Sequence, residues 1–470
     1  MSKQYDLVVI GAGSGGLVSA EVAARFGAKV ALVEAQASLG GECLHSGCVP
    51  SKALIKAART AYAAQNGAKY GIIAKPTVDF AKVMQHVKSS IAAIEKRSDN
   101  DAHYIELGAD MFHGQADFID AHTISVGKDQ LTFKKCIIAT GSRPLVPNVP
   151  GLAKTSYLTN ETIFELTTLP TSLTVIGGGP ISVELGQAFA MLGTEVTLLA
   201  REDRLLPREE PAASAALLRE FEKIGITVLF GVELKSTSGT IGNIEVSIVQ
   251  AGKKQTITST HLLIATGRVP NTPGKPELAG VSLTDRGAIK VNVNLQSSAG
   301  HIYAIGDCNG GMQFTHVAAA QATMAVQNAL LFGSRKNGLA MPVWATFTTP
   351  EIAHLGATEE QLRTAKTTYT SYNVSYDEID KAVAEGESGF IQVLVGRKGA
   401  ILGATIVGEN AAELTSQIVF AARNKLSFKQ LGNTLQAYPT YGLGVKELSS
   451  RTEFTKLLGG PIGKIIRRFI

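Results

Sequence analysis

A chain of 470 residues, 45% of them hydrophobic, has ample material for about two to four domains. Its formal charge of +5 is small and spread along the sequence, and a single Trp with few other aromatics offers no stacking platform, so nucleic acid is not an expected partner. Four cysteines are too few for a disulfide framework. With no charged-then-apolar leader and no run long enough to span a bilayer, the expected setting is reducing and cytoplasmic.

The first element is a strand, Tyr5 to Ile10, followed by Gly11-Ala12-Gly13-Ser14-Gly15-Gly16, a helix to about Gly27 and a strand from Lys29 to Glu34. This unit carries a complete dinucleotide fingerprint. Gly11 makes the turn, Gly13 lets backbone amides approach a pyrophosphate, Gly16 allows close helix packing, and Glu34 can accept hydrogen bonds from a ribose.

Gly40 to Lys52 then reads GGECLHSGCVPSK. Cys43 and Cys48 lie close together, and no second cysteine pair or histidine cluster completes a zinc site. A redox pair is therefore expected and a metal site is not. Pro50 suits the first turn of a helix whose free amides would favour a thiolate at Cys48. Phe80, Val83, Met84, Val87, Ile91 and Ile94 recur at helical spacing and read as a core stripe.

Three apolar strands end in turns: Ile137-Ile138 at Ala139-Thr140-Gly141, Leu262-Leu263-Ile264 at Thr266-Gly267-Arg268, and Ile302 to Ile305 at Gly306-Asp307. Cys136 and Cys308 read as small buried apolar residues. Between the first two of these strands the nucleotide unit recurs. Leu173 to Ile176 leads into Gly177-Gly178-Gly179-Pro180-Ile181-Ser182, a helix to Leu192 and a strand from Glu195 to Leu199. Two dinucleotide sites are implied.

The second copy differs at its strand end, where Ala200 stands at the position Glu34 holds in the first, followed by Arg201, Arg204 and Arg208. Two readings stand: cations that meet a ribose phosphate, which favours NADPH over NADH, or a solvated arginine loop. The first is the expectation. From Pro342 strands at Phe390 to Val395 and Ile401 to Val407, then a helix from Ala411 to about Lys425, mark a separate domain. From Leu457 to Ile470 bulky apolar residues mix with cations. That tail is expected to pack on its own subunit, with membrane-surface contact as the alternative.

In this order the segments resemble the pyridine nucleotide-disulfide oxidoreductases, which include glutathione reductase, dihydrolipoamide dehydrogenase and mercuric reductase. The resemblance rests on CLHSGCVPSK, both fingerprints, Gly306-Asp307, Phe347 to Glu351 and Gly403 to Glu413. It implies an α/β chain with two Rossmann-like dinucleotide-binding domains plus a C-terminal α+β dimerisation domain. The expected boundaries are an FAD-binding domain at 1–150, an NAD(P)-binding domain at 151–280, a return segment at 281–341 and the dimerisation domain at 342–470.

The same resemblance implies a homodimer and one electron route, from NAD(P)H through FAD to a disulfide between Cys43 and Cys48. Cys48 is the thiol beside the flavin and Cys43 the outward nucleophile. Lys52 and Glu184 match an ion pair beside the flavin, and Asp307 is placed to bind the ribityl chain. Ser14, Thr140 and Gly141 join Gly11, Gly13, Gly16, Glu34, Lys52, Gly306 and Asp307 as flavin-binding positions. Gly177, Gly179, Arg201, Arg204 and Gly267 are assigned to the nucleotide side.

One departure bears on function. Where disulfide-reducing members carry His-Pro-Thr-x-x-Glu, whose His reaches the partner's interchange thiol, this chain reads Tyr438-Pro439-Thr440-Tyr441-Gly442-Leu443. A Tyr hydrogen-bonds a thiolate but seldom serves as a base. His45 is read as standing in for a loop-shaping Asn, His316 as structural, and His354 as a residue of the C-terminal domain without an evident partner. Mercuric reductases carry a tyrosine nearby, yet their C-terminal cysteine pair is absent, the last cysteine here being Cys308. The expected acceptor is thus a small molecule such as a quinone or a metal species. The alternatives are a dihydrolipoamide dehydrogenase or other disulfide reductase using Tyr438, and a redox-sensing flavoprotein whose tail binds a membrane or partner.

Overall fold

The computed structural model describes residues 3–331, 335–336 and 341–459, with the backbone alone from 452 onward. The tail expectations depend on side chains outside that described set. Among the described residues no helix is long and apolar enough to cross a membrane.

The chain opens with β1 (Lys3–Ile10), α1 (Ser14–Arg25) and β2 (Val30–Glu34). Next come α2 (Gly41–His45), α3 (Cys48–Gln65), α4 (Phe80–Arg97) and α5 (Asp101–Glu106). They lead to β3 (Ala109–His113), β4 (Ala116–Asp120), β5 (Thr123–Val126) and β6 (Asp129–Ile138). The second fingerprint region holds β7 (Ser142–Pro144), β8 (Ser172–Ile176), α6 (Pro180–Leu192), β9 (Glu195–Leu199), α7 (Pro211–Lys223) and β10 (Thr227–Leu229). After it come β11 (Glu233–Thr240), β12 (Asn243–Gln250), β13 (Lys253–Ser259), β14 (His261–Ile264), β15 (Arg268–Pro270), β16 (Ile302–Ala304) and α8 (Thr315–Leu330). The last region comprises β17 (Val343–Thr346), β18 (Glu351–Gly356), α9 (Glu359–Thr364), β19 (Thr370–Ser375), α10 (Asp380–Glu385), β20 (Phe390–Val395) and β21 (Ile401–Gly408). It closes with α11 (Ala411–Arg423), α12 (Phe428–Gly432) and α13 (Gly442–Gly459).

The described residues fall into two compact units. One lies within Met1–Gly177, Met191–Glu195 and Leu234–Leu339, the other within Gly178–Ala190, Val196–Glu233 and Ala340–Ile470. In the first, a seven-stranded sheet runs β3-β2-β1-β6-β5-β4, with β16 also paired to β6. Strands β3, β2, β1, β6 and β16 run parallel to one another, while β5 pairs antiparallel with both β6 and β4. Strand β2 is buried throughout, which explains its continuous apolar run. Along β1 the pleat divides the core: Leu7 and Val9 pack with Ala20, Ala23, Ala322 and Val326 of α1 and α8, while Val8 and Ile10 pack in the opposite cluster, which Tyr5 joins at the start of the strand. Cys136 and Cys308 are buried in that second cluster.

Register positions the site. Ile10 pairs with Val33 and with Ile138, and Ile138 pairs with Ala304, so the carboxyl ends of four strands are level. The turns at Gly11, Glu34, Thr140 and Gly306-Asp307 consequently sit side by side. The core stripe on α4 is buried only at Phe80, Met84 and Val87; Val83, Ile91 and Ile94 are half-buried. In the same unit β8 and β14 run parallel, β12 and β13 antiparallel, and β7 and β15 antiparallel.

In the second unit β9 and β10 are parallel, and β17-β18-β21-β20-β19 form an antiparallel sheet whose core is closed by Ala411, Leu414 and Ile418 of α11. The expected fold class holds, with parallel strand–helix units at both fingerprints and an α+β region after them.

Candidate active site

The cysteine segment is laid directly on the first nucleotide turn. Gly41 has φ +56°, and a Cβ there would lie 2.8 Å from Gly13 Cα. The Gly40 N–H donates to Ala12 O at 2.9 Å. Cys48 is the first residue of α3; its N-cap, Gly47, brings no side-chain cap, and Pro50 lies in the first turn. The backbone N–H of Cys48, in this first turn, bonds the Cys43 sulfur. Cys48 Sγ lies 3.3 Å from Thr315 Oγ1, where α8 begins.

Both cysteines are free thiols. A hydrogen bond from Cys48, with further bonds from Thr315 and Ser14, lowers the Cys43 pKa to about 6 against the opposing effect of burial. The same bond and burial push Cys48 up, while the Lys52 charge draws it down. One proton is thus held between the two sulfurs, and the dithiol ionises once near neutrality. Cys43 is half-buried and Cys48 lies at the open mouth of α3, beside Thr315.

The first fingerprint has the geometry of a diphosphate cradle. Gly11 has φ +99°, and a Cβ there would lie 2.5 Å from Ala139 O; one on Gly16 would lie 1.7 Å from Gly11 O. Helix α1 starts at Ser14 with Gly13 as an N-cap that supplies no side-chain bond, so its first amides point out of the turn. Buried Glu34 accepts from the N–H of Ala12 at 2.7 Å and of Gln36 at 2.9 Å, and each oxygen keeps a lone pair for a ribose hydroxyl. These residues fit a dinucleotide. Thr140 donates to Asn271 O at 2.7 Å; Gly141 and Gly306 both have φ +68°.

Sequence reasoning missed the network beside this turn. Glu42 accepts from Arg268 Nη2 and from Asn160 Nδ2, the latter at 2.8 Å. Arg268 also donates to Ser142 Oγ at 2.8 Å and Ser142 O at 2.9 Å, and the Ser142 hydroxyl donates to Asp307. Arg268 Nη1 is buried with no partner among the described residues. Burial raises Glu42 to about 7 despite Arg268, and burial likewise raises Asp307. Asp307 stands just past the end of β16, within a half-buried acid–guanidinium network.

At the second fingerprint Gly177 has φ +134°, and a Cβ on Gly178 would lie 3.2 Å from that of Ala200, which is buried. Ser182, at the third-glycine position, is buried, while Gly179 and Gly267 have nothing or a single side chain near their missing Cβ. Arg201 pairs with Glu202 at 2.6 Å on the surface, and Arg204 Nη2 donates to Pro207 O at 2.9 Å. Lys52 lies in the first unit, where Nζ donates to Ser51 Oγ at 3.3 Å. Glu184 lies in the second, buried and accepting from the Phe347 N–H at 2.8 Å.

Tyr438 is exposed, yet its hydroxyl donates to Asp380 Oδ2 at 2.9 Å, a bond that raises its pKa. Tyr441 likewise donates to Glu385 at 2.7 Å, so α10 holds both tyrosines of this stretch. His354, expected to lack a partner, bonds Thr405 Oγ1 at 2.9 Å and Gly356 O at 3.1 Å; burial lowers it to about 4. His45 Nε2 bonds Leu39 O at 2.6 Å, and His316 stacks on Phe314.

Residues 5–322 match the pyridine nucleotide-disulphide oxidoreductase family, and residues 343–448 match the dimerisation domain of that family. The mercuric reductase of Staphylococcus aureus is 34% identical over 446 residues, covering 94% of this chain and 81% of that protein. The dihydrolipoyl dehydrogenase of Mycobacterium tuberculosis is 33% identical over 465 residues, covering 94% and 97% respectively. The Cu(II) complex of the HOCl-induced flavoprotein disulfide reductase RclA from Escherichia coli matches with a TM-score of 0.86 at 26% identity, covering 96% of this chain and 100% of that one.

Proposed function

The chain belongs to the FAD-dependent pyridine nucleotide-disulphide oxidoreductases, a family that uses NAD(P)H and carries a dimerisation domain, and from that membership we propose that it passes electrons from NADPH to a small acceptor, a quinone or a metal ion. The observation that carries this reading is that the segment expected to serve the Cys43 and Cys48 thiols holds Tyr438, bonded to Asp380, and not a histidine.

When bound, FAD supplies the two-electron step between nicotinamide and disulfide. The remaining work falls to the chain. The amides from Gly13 and Ser14 hold the diphosphate, Glu34 the ribose and Asp307 the ribityl chain. The Lys52 cation and the first turn of α8 would stabilise negative charge on the reduced flavin ring. Reduction breaks the Cys43–Cys48 bond and takes up two electrons and two protons, one of which leaves again near neutrality. Returning the pair to the disulfide releases two electrons; a quinone takes both together with two protons, a mercuric ion takes both and no proton, and two cupric ions take one each. No histidine acid is required, and Tyr438, held by Asp380, contributes a hydrogen-bonding oxygen.

Relatives named mercuric reductase, and an RclA structure holding Cu(II), support thiophilic or redox-active metal ions as acceptors. The preference for NADPH rests on Ala200 in place of an acid and on Arg201 and Arg204 beside it. A disulfide reductase using Tyr438 is the second reading, favoured by the dihydrolipoyl dehydrogenase relative.

Anaerobic titration with NADPH, followed by separate addition of benzoquinone, mercuric ion, cupric ion, lipoamide and oxidised glutathione, tests both. A long-wavelength thiolate-to-flavin band and reoxidation by quinone or metal ion alone support the first reading. Rapid reoxidation by lipoamide or glutathione establishes the second.

A further inference from the structure

A buried acid that the electron route does not use stands in the second compact unit. Glu209 and Glu210 end the turn that follows β9, and both are buried. Glu209 accepts a hydrogen bond from the indole N–H of Trp344 on β17, and its second oxygen has no partner among the described residues. Glu210 accepts from the backbone N–H of Glu359, the first residue of α9, at 2.6 Å. Trp344 in turn lies over the His354 ring, with centroids 4.6 Å apart.

At its other end this turn rests on the second fingerprint. Leu206, buried with φ +48°, donates its N–H to Gly178 O at 2.8 Å. Ala200 and Leu205 pack against the open side of Gly178. Between these anchors the turn carries Arg201, Arg204 and Arg208, and Arg204 Nε is buried without a partner among the described residues. The Glu209 N–H donates to Leu206 O at 2.9 Å, so the two anchors are joined through the turn's own backbone.

We propose that Glu209, as a neutral carboxylic acid bonded by Trp344, is the positioning residue that holds the arginine turn against Gly178 in its nucleotide-binding form, and that ionisation of Glu209 releases the turn. The proposal rests on the reading of the second fingerprint as the NAD(P)H site. A buried carboxylate with one oxygen unpaired is costly, whereas the neutral acid leaves only a hydroxyl unused. Burial first, then the neighbouring Glu210, raises Glu209 to about 7, with the Trp344 bond acting the other way. The remaining charged groups act on Glu210: Arg204 and Arg363 favour its ionised form and Glu359 opposes it. His354 is neutral throughout this range.

Trp344 is the only tryptophan of the chain, so its emission reports on this contact. The test uses the flavin-loaded enzyme and its E209Q variant from pH 6 to 8.5, titrated with NADP⁺ and with NAD⁺, which bind without reducing the flavin. The wild type is expected to show an emission transition near pH 7, and nucleotide affinity should weaken by roughly tenfold between pH 7 and 8.5 as the neutral fraction falls. E209Q, whose amide mimics the neutral acid, should show neither effect. Because NAD⁺ has no 2′-phosphate to titrate, a trend shared by both nucleotides belongs to the protein. Identical emission and affinity profiles in wild type and E209Q overturn the proposal. If E209Q fails to retain flavin, W344F decides: weaker nucleotide binding at normal flavin content supports the proposal and unchanged binding overturns it. Failure of the wild type to bind either nucleotide would refute the NAD(P)H reading itself, a result separable from the emission comparison.

Discussion

Replacing Thr315 by Val should raise the first ionisation of the dithiol. The Thr315 hydroxyl lies 3.3 Å from Cys48 Sγ and lowers the pKa of both cysteines. Val preserves the shape of the side chain, and position 315 is exposed at the start of α8, where the helix draws no cap from it. A hydrogen bond to a charged group contributes about 1.5–3 kcal/mol, and sulfur is a weak acceptor, so the lower end applies. At 1.36 kcal/mol per pKa unit this is a rise of about one unit. The Cys43 value near 6 should therefore move to about 7, and at pH 6.5 the thiolate fraction should fall from roughly three-quarters to roughly one-quarter. Alkylation of the anaerobically reduced enzyme by iodoacetamide, followed across pH 5 to 8.5, reads this as a roughly threefold slower reaction at pH 6.5. An inflection that stays in place would refute the idea that Thr315 tunes the pair and would leave the amides of α3 as the cause.

Gly16→Ala should abolish flavin retention, because its Cβ would lie 1.7 Å from the backbone oxygen of Gly11, which has no freedom to withdraw; flavin content per polypeptide after purification measures it. Glu209 and His354 should give opposite pH slopes of stability in urea unfolding. With Glu209 raised to about 7, the folded state holds its proton more tightly, so stability falls as pH rises from about 4.5 to 7, by about 3 kcal/mol at most, and E209Q removes that fall. With His354 lowered to about 4, the unfolded state binds the proton first, so stability falls as pH drops from about 6.5 to 4, and His354→Gln flattens that limb. Tyr438→His should raise turnover of a disulfide substrate at least tenfold, since a positioned acid–base contributes about 10²–10⁴ and the companion Glu is missing here; unchanged turnover would show that the histidine is not what this site lacks.

The features legible in the sequence were those whose geometry is local. The glycines at 11, 13 and 16, the acid at 34 and the helix start at Cys48 are each fixed within one strand–turn–helix unit, so spacing alone places them. What escaped is held together across the chain. Arg268 meets Ser142 because β15 pairs with β7, and it reaches Glu42 from 226 residues away. Trp344 meets Glu209 across 135 residues. His354 looked solitary because its partner, Thr405, lies opposite it on the neighbouring strand β21. The α4 stripe is periodic along its length, but only its first half is buried, since periodicity records which face is apolar and not how far the cover extends.

The close approach of Gly13 and Gly41 closes a thermodynamic cycle. The backbone of the first nucleotide turn lies against the backbone two residues before Cys43, a Cβ built on Gly41 falling 2.8 Å from Gly13 Cα. Any change that forming the disulfide imposes on flavin affinity must then be returned, by the same factor, as a change that flavin imposes on the disulfide's reduction potential. On the proposed reading, tightness of cofactor binding and ease of thiol oxidation are two readings of one coupling, and a Cβ added at Gly41, which must push Gly13 away, alters both together.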